Sequence, residues 1–297
     1  MTISTFDHLL DRVSTGDNLV VDEITELAAT HDILSLGMLA DAARRRLHGT
    51  QVTYLRVERW PLDRVPGDAI SAAAREIRVT GAPETLGAAV SAVQTAKAVA
   101  GDRSVAGLSW PDIERLASNG SIPRHRVLAD LHAAGLDTLG EIPLDVVADI
   151  EAAIEELARG GFEQLRLTIE KAPASQRTTL WLRAAVLRQR YDQIQSLNPL
   201  PTILHAFQPT TGYDDVKAVA LARLAAPNVP SIQIDWLQYG PKLAQVALTF
   251  GADDIDSVEV GGDDSKGRRR SSIEEIRRGV RAAGFEPVER DGRFVER

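Results

Sequence analysis

Ten polar residues stand where short β-rich runs give way to loops: Glu58, Thr80, Glu84, Glu141, Glu170, Lys171, His205, Gln208, Asp235 and Glu259. Carboxylates and an imidazole so placed can exchange protons with a ligand held between them. If the chain is an enzyme, Glu141, Glu170, His205 and Asp235 are the expected acids and bases. Thr80, Glu84, Gln208 and Tyr213 are the expected ligand contacts. Taken singly, each is ordinarily a loop residue, and Lys171 beside Glu170 an ordinary surface pair. Two acidic doublets have simple structural readings. Asp214-Asp215 opens a helix, where negative charge favours the dipole, and Asp253-Asp254 reads as a loop cap before a strand.

Other chemistries are excluded by composition. The 297 residues contain no cysteine, which removes disulfides, thiol nucleophiles, zinc fingers and cysteine-ligated clusters. No GxxxxGK[ST] loop, GxGxxG turn, GxSxG elbow or HExxH helix occurs. The six histidines are scattered, with no i, i+4 pair, so no metal site is expected. Acidic residues outnumber basic ones 42 to 34, and aromatics are 5%. Neither suits a nucleic-acid surface. The basic run Arg268–Arg270 reads as a solvated helix approach. No apolar stretch is long enough to span a membrane. The start, MTISTFDHLLDRV, lacks the apolar core of a secretory signal, so a cytoplasmic protein is expected.

The elements that must position these residues alternate. The first 50 residues read as helical, with a break near Thr30–Asp32 and a stop at Gly49. Strands are predicted at 51–57, 74–80, 104–108, 136–139, 162–169, 202–207, 231–235 and 254–258. Helices are predicted at 83–100, 111–134 (broken at Asn119–Pro123), 144–159, 174–193, 214–225 and 240–250. Eight alternating units imply a TIM-like (β/α)8 barrel of the α/β class, with a doubly wound open sheet as the alternative. Three parts follow: a helical extension over 1–50, a barrel over 51–260, and a C-terminal helix and hairpin over 261–297. Gly261–Gly267 is a polar segment, Ser272 and Glu275 form a capping-box pattern, and Asp291-Gly292 suits a tight turn.

Four stretches carry a family resemblance: LSLGMLADAARRRLHGTQVTYL (34–55), TTGYDDVKAVALARL (210–224), IQIDWLQYGPKLAQVALTFGADDID (232–256) and SSIEEIRRGVRAAGFEPVERDGRF (271–294). VLADLHAAGLDTL (127–139) adds a weaker match. Together they resemble the radical S-adenosylmethionine enzymes of the futalosine route to menaquinone, aminofutalosine synthase and dehypoxanthine futalosine cyclase, and a related subunit of the deazaflavin pathway. The resemblance implies a radical-enzyme barrel with a [4Fe–4S] cluster held by a CxxxCxxC loop after the first strand. Here that place reads ERWPLDRVPGDAI, without cysteine. The family's glycine pair after the second strand is Gly81-Ala82. Its glycine-rich loop after the fourth is LGEIPLD (139–145). Its histidine-proline pair is Gln208-Pro209, and its Gly-His-x-Glu-Thr stretch after the fifth strand has no counterpart near TIEKAP (168–173).

The expectation is therefore a cluster-free, cofactor-free pseudoenzyme. It would act as a binding or partner subunit of a catalytically active homologue or another menaquinone-pathway enzyme. S-adenosylmethionine or a nucleoside remains a candidate ligand at Thr80, Glu84 and Tyr213. The alternative is a cluster-independent barrel enzyme acting on a nucleoside-like or small polar substrate.

Overall fold

The computed structural model describes residues 3–64, 70–204, 210–260 and 273–297. Three helices open the chain: α1 (Ile3–Thr15), α2 (Val21–Ala29) and α3 (Ile33–His48). The break before α3 is made by Asp32, whose side chain accepts a hydrogen bond from Ser35 N at 3.1 Å. Gly49, at φ 59°, ends it. Arg44 near that end is buried, donates to the Gly49 and Gln51 carbonyls, and stacks 4.0 Å from the Phe285 ring.

Eight parallel strands follow: β1 (Gln51–Pro61), β2 (Glu76–Thr80), β3 (Ser104–Ser109), β4 (Thr138–Pro143), β5 (Leu165–Ile169), β6 (Ile194–Pro201), β7 (Ser231–Asp235) and β8 (Asp254–Glu259). Between them lie α4 (Leu86–Ala100), α5 (Trp110–Gly120), α6 (Arg124–Ala134), α7 (Ile150–Arg159), α8 (Ala174–Arg190), α9 (Gly212–Ala225) and α10 (Trp236–Leu248). Since β1 pairs with both β8 and β2, the sheet closes into a barrel, and the open doubly wound alternative falls. The split between α5 and α6 lies where the sequence put it. Ser121 is left-handed at φ 50°, and Pro123 precedes the next helix.

Closure has an unusual form. Only the upper half of β1, Val57–Pro61, pairs with β2. Its lower half, Gln51–Leu55, pairs instead with a ninth strand, β9 (Glu286–Arg290), which follows α11 (Ile273–Ala282). The tail is thus a parallel wedge between β1 and β2 as well as half of a hairpin, whose other half is a single bridge from Arg290 to Glu296. The Ser272 half of the capping-box pattern, Gly261–Gly267 and Arg268–Arg270 lie outside the described residues.

Several boundaries differ from expectation. The sixth strand is not 202–207 but Ile194–Pro201. Its two prolines and Asn198 disguise it, because proline cannot donate to a ladder. The cost shows in its pairing, which slips twice against β5 and holds only two residue pairs with β7. The stretch 139–145, matched above to a glycine-rich loop, is mostly strand, since β4 runs to Pro143. The helix expected from 144 starts at Ile150, capped by Asp149.

Strand side chains alternate between two environments. Those facing the helices are apolar: Leu165, Leu167 and Ile169 of β5, for example, join the core with Leu131, Ile154 and Leu157. Those facing the barrel interior include a polar and ionic set, with Ala106 and Leu55, in register with Arg78 and Arg290, as apolar members.

Candidate functional site: the barrel lumen and its mouth

The lower lumen is an ion network. Arg78 of β2 donates to Glu76 at 2.6 and 2.8 Å, to both Asp256 oxygens at 3.0 and 3.1 Å, and to Ser257 at 2.9 Å. Arg166 of β5 reaches across to the Glu76 carboxylate and to the Gly292 carbonyl at 3.1 Å. Arg290 of β9 grips Asp254 of β8 with two bonds of 2.6 Å, while Gln233 of β7 donates to the same carboxylate at 2.7 Å. Phe294 lies under the Arg290 and Arg166 guanidinium groups at 4.3 and 5.7 Å. Three arginines therefore match three carboxylates, and the tail seals the lower end. Burial alone would raise Asp256, but Arg78 and Arg166 overrule it and hold its carboxyl well below the usual range. Glu76 is lowered in the same way, by Arg166 and Arg78 against its burial. Removing one member of such a network leaves its partner charged and buried, typically at about 3–5 kcal/mol.

Above the network, at the C-terminal mouth, the structure brings together three of the four acids and bases the sequence singles out. Glu141 comes from β4, Glu170 from the residue after β5, and Asp235 from the end of β7. Glu141 accepts a hydrogen bond from Thr202 Oγ1 at 3.2 Å. Burial raises its carboxyl, and the nearby Asp235 and Glu170 add to the rise, against the opposing Thr202 hydroxyl and Arg78. Asp235 is raised too, chiefly by burial and then by Asp256. It also caps α10, accepting from Gln238 N at 2.8 Å. Glu170 pairs with Lys171 at 3.3 Å, a lysine side chain 67% exposed. Mutual proximity with raised carboxyls is what a proton-exchanging or cation-binding site needs. The fourth, His205, and the ligand candidate Gln208 lie outside the described residues.

The remaining candidates are placed elsewhere. Glu58 pairs with Arg64 at 2.9 Å, and the Arg64 guanidinium lies 4.4 Å over the buried Trp60 ring. Glu259 pairs with Arg59 at 3.4 Å. Glu84 is exposed in the approach to α4, and Thr80 ends β2, its carbonyl accepting from Leu62 N at 3.2 Å. The Leu62 side chain lies over Gly81, so that a Cβ there would sit 3.1 Å from it. Tyr213 turns away from the mouth and donates to the His31 carbonyl at 3.1 Å, tying α9 to the N-terminal helices. The doublets are structural: Thr211 and Asp214 form a capping box, and Asp253 braces Arg223, Ser231 and Ile232 N. Among the described residues no group of three histidine, aspartate or glutamate side chains is set to hold a metal ion. None of their helices is long and apolar enough to cross a membrane.

Sequence reasoning missed Arg78, Arg166, Asp256 and Arg290. The available signal was an arginine at an inward position of an otherwise apolar strand, as in LRLTI. It also missed Asp145, whose carboxylate accepts from the backbone of Glu170, Lys171 and Ala172 at 2.7–2.9 Å and so shapes the loop that presents Glu170.

Residues 195–297 match a family model described as the CofH/MqnC C-terminal region. Aminodeoxyfutalosine synthase of Thermus thermophilus is 29% identical over 219 residues, 62% of this chain and 58% of that enzyme. The enzyme of the same name from Streptomyces coelicolor is 37% identical over 93 residues, 29% and 24% of the two chains. The chain thus covers less than two thirds of either. The 5-amino-6-(D-ribitylamino)uracil–L-tyrosine 4-hydroxyphenyl transferase of Methanoculleus marisnigri is 26% identical across 83% of this chain and 84% of its own. Among solved structures, methylornithine synthase superposes with a TM-score of 0.65 at 14% identity, covering 94% and 97% of the two chains. The FeFe-hydrogenase maturase HydG of Carboxydothermus hydrogenoformans does so at 0.66 and 12%, covering 96% and 79%. These last two share the barrel.

Proposed function

We propose that this chain, a cysteine-free relative of the futalosine-type radical S-adenosylmethionine enzymes, is a cluster-free binding or partner subunit in menaquinone biosynthesis, working in the cytoplasm. One observation carries the reading. Residues 58–70, where the resemblance implies three cluster-ligating cysteines, contain none, and their described part, the upper end of β1 and the residues just after it, is otherwise committed. Glu58 is held by Arg64, Trp60 is buried beneath the same guanidinium, and Leu62 covers Gly81. An iron–sulfur cluster takes thiolates, or imidazoles in one variant. Neither the carboxylate, the indole nor the leucine of this segment fits that donor set. Leu62 likewise covers Gly81, at the place of the family's glycine pair.

What the chain retains is a rigid barrel with a polar mouth, suited to holding a ligand or docking against an active homologue. The test is anaerobic reconstitution with ferrous iron and sulfide, followed by iron analysis and assay for reductive cleavage of S-adenosylmethionine. The expected result is sub-stoichiometric iron and no cleavage product. A loaded cluster with turnover would overturn the reading. Affinity capture from native extract should recover a cysteine-containing homologue or another menaquinone-pathway enzyme.

The raised carboxyls of Glu141 and Asp235 favour a second reading, a cluster-independent acid–base enzyme acting on a small polar or nucleoside-like substrate. Turnover abolished by Glu141→Gln, with no partner required, would select it.

A further inference from the structure

Most of the chain's net charge sits outside the barrel. Of the formal excess of eight negative charges, six lie in residues 1–32, which hold seven carboxylates and a single arginine. That arginine, Arg12, is spent within the layer: it pairs with Glu23 and donates to the Asn18 carbonyl at 3.0 Å. Asp7, Asp11, Asp17, Asp22 and Glu26 are exposed, and none has an ion pair among the described residues.

The same helices leave an apolar groove. α1 rests on α3, whereas α2 rests on α8 and α9. With separate supports the two helices stand apart, and a groove of about 520 Å³ lies between them. Buried Leu9 of α1 and Leu27 of α2 line it, with Ala29 beside them and Glu23 and Glu26 on its rim. Val20, 57% exposed, precedes Glu23 by three residues and extends the apolar surface on that face.

An apolar groove between helices takes the apolar face of a third helix, and charge decides which helix. Nucleic acid and anionic lipid are repelled by the acids around it. A metal ion finds no chelating group there among the described residues. A second copy docking through the same face would set acids against acids. We propose that the α1–α2 groove docks a lysine- or arginine-bearing amphipathic helix of a partner protein, its apolar face on Leu9, Leu27 and Ala29 and its cations on Asp22 and Glu26. This gives a surface to the partner reading above and rests on it only in taking the chain to have a protein partner. Iron uptake bears on cluster content alone, so the two fail separately.

The probe is a labelled leucine–lysine amphipathic peptide, titrated with the full chain and read by fluorescence anisotropy, with its leucine–glutamate counterpart as control. Saturable one-to-one binding of the lysine peptide is expected, about tenfold or more tighter than of the glutamate peptide and weakened by salt. Asp22→Lys combined with Glu26→Lys should weaken it about tenfold, and Ala29→Trp, which fills the groove, about as much. Glu163→Lys reverses an exposed carboxylate outside these helices and should leave binding unchanged. All four positions are exposed, so the variants keep the fold, which thermal melts check. Failure of the lysine peptide to bind would overturn the proposal. So would equal binding of the glutamate peptide, equal weakening by Glu163→Lys, or full binding by Ala29→Trp. A dimer in sedimentation that Asp22→Lys with Glu26→Lys dissolves would overturn it too, by making a second copy the occupant.

Discussion

Glu141 shows how one residue carries both legible and hidden information. Its position at a strand end marks it in the sequence, but its raised carboxyl depends on burial and on Asp235 and Glu170, contributed by distant strands. The sign of the consequence is fixed. A group whose folded pKa lies above its unfolded one stabilises the fold below the unfolded value and loses that contribution as pH rises through the folded value. The window therefore opens above the ordinary glutamate value of 4.5 and runs upward. Glu141→Gln should make the protein more stable than the parent at neutral pH, with the difference shrinking as pH falls towards that value. Urea midpoints measured across this range check it, and a variant less stable at neutral pH would contradict it. Glu170 and Asp235 were legible by the same strand-end rule. Arg78 and Arg166 were not, because a lone arginine in a strand reads as a solvent-facing residue until closure turns that face inward.

At the scale of elements, the tail departs furthest from the sequence reading. Asp291-Gly292 is a sound turn signal, and the hairpin bridge is there, but nothing local says that β9 will pair in parallel with β1. That pairing is non-local: β1 is long enough to serve β2 with its upper half and leaves its lower half unpaired on that side. Gly292 is the tightest point of the wedge. Its carbonyl accepts from Arg166, and a Cβ would overlap the Ser104 hydroxyl and the Glu76 carboxylate. Gly292→Ala should therefore destabilise the protein by about 1–3 kcal/mol, the usual cost of overpacking a filled interior. Its neighbour Arg293 is partly exposed and tied to Asp102 and Asp137, and Arg293→Ala should cost well under half as much. Chemical denaturation of the two variants decides whether the turn is a plug or an ornament. Equal, small losses would show that it does not fill the barrel. The sixth strand was misplaced for a related reason: its prolines argue against a strand locally, and only its β5 and β7 neighbours make it one.

At the scale of the whole molecule, a (β/α)8 body closed by its tail carries no cysteine between the upper end of the first strand and the second strand. A cluster-bearing barrel draws part of its integrity from metal–ligand bonds, which chelators and oxygen attack. This chain braces the corresponding region with protein groups: the Trp60 ring beneath Arg64, the Arg64–Glu58 pair, and below them the lumen network tying β2, β5, β7, β8 and β9 together. None of these contacts uses a thiolate, and none is redox-active. Prolonged dialysis in air against a strong chelator should therefore leave the melting temperature unchanged. High salt should lower it only slightly, because buried pairs are poorly screened. Trp60→Ala should lower it severely, by the roughly 3–5 kcal/mol typical of emptying a buried aromatic site. A chelator-induced drop comparable to that of Trp60→Ala would mean that a metal completes the fold after all. Indifference to the chelator together with sensitivity at Trp60 would show that a side chain has taken over the bracing of the mouth.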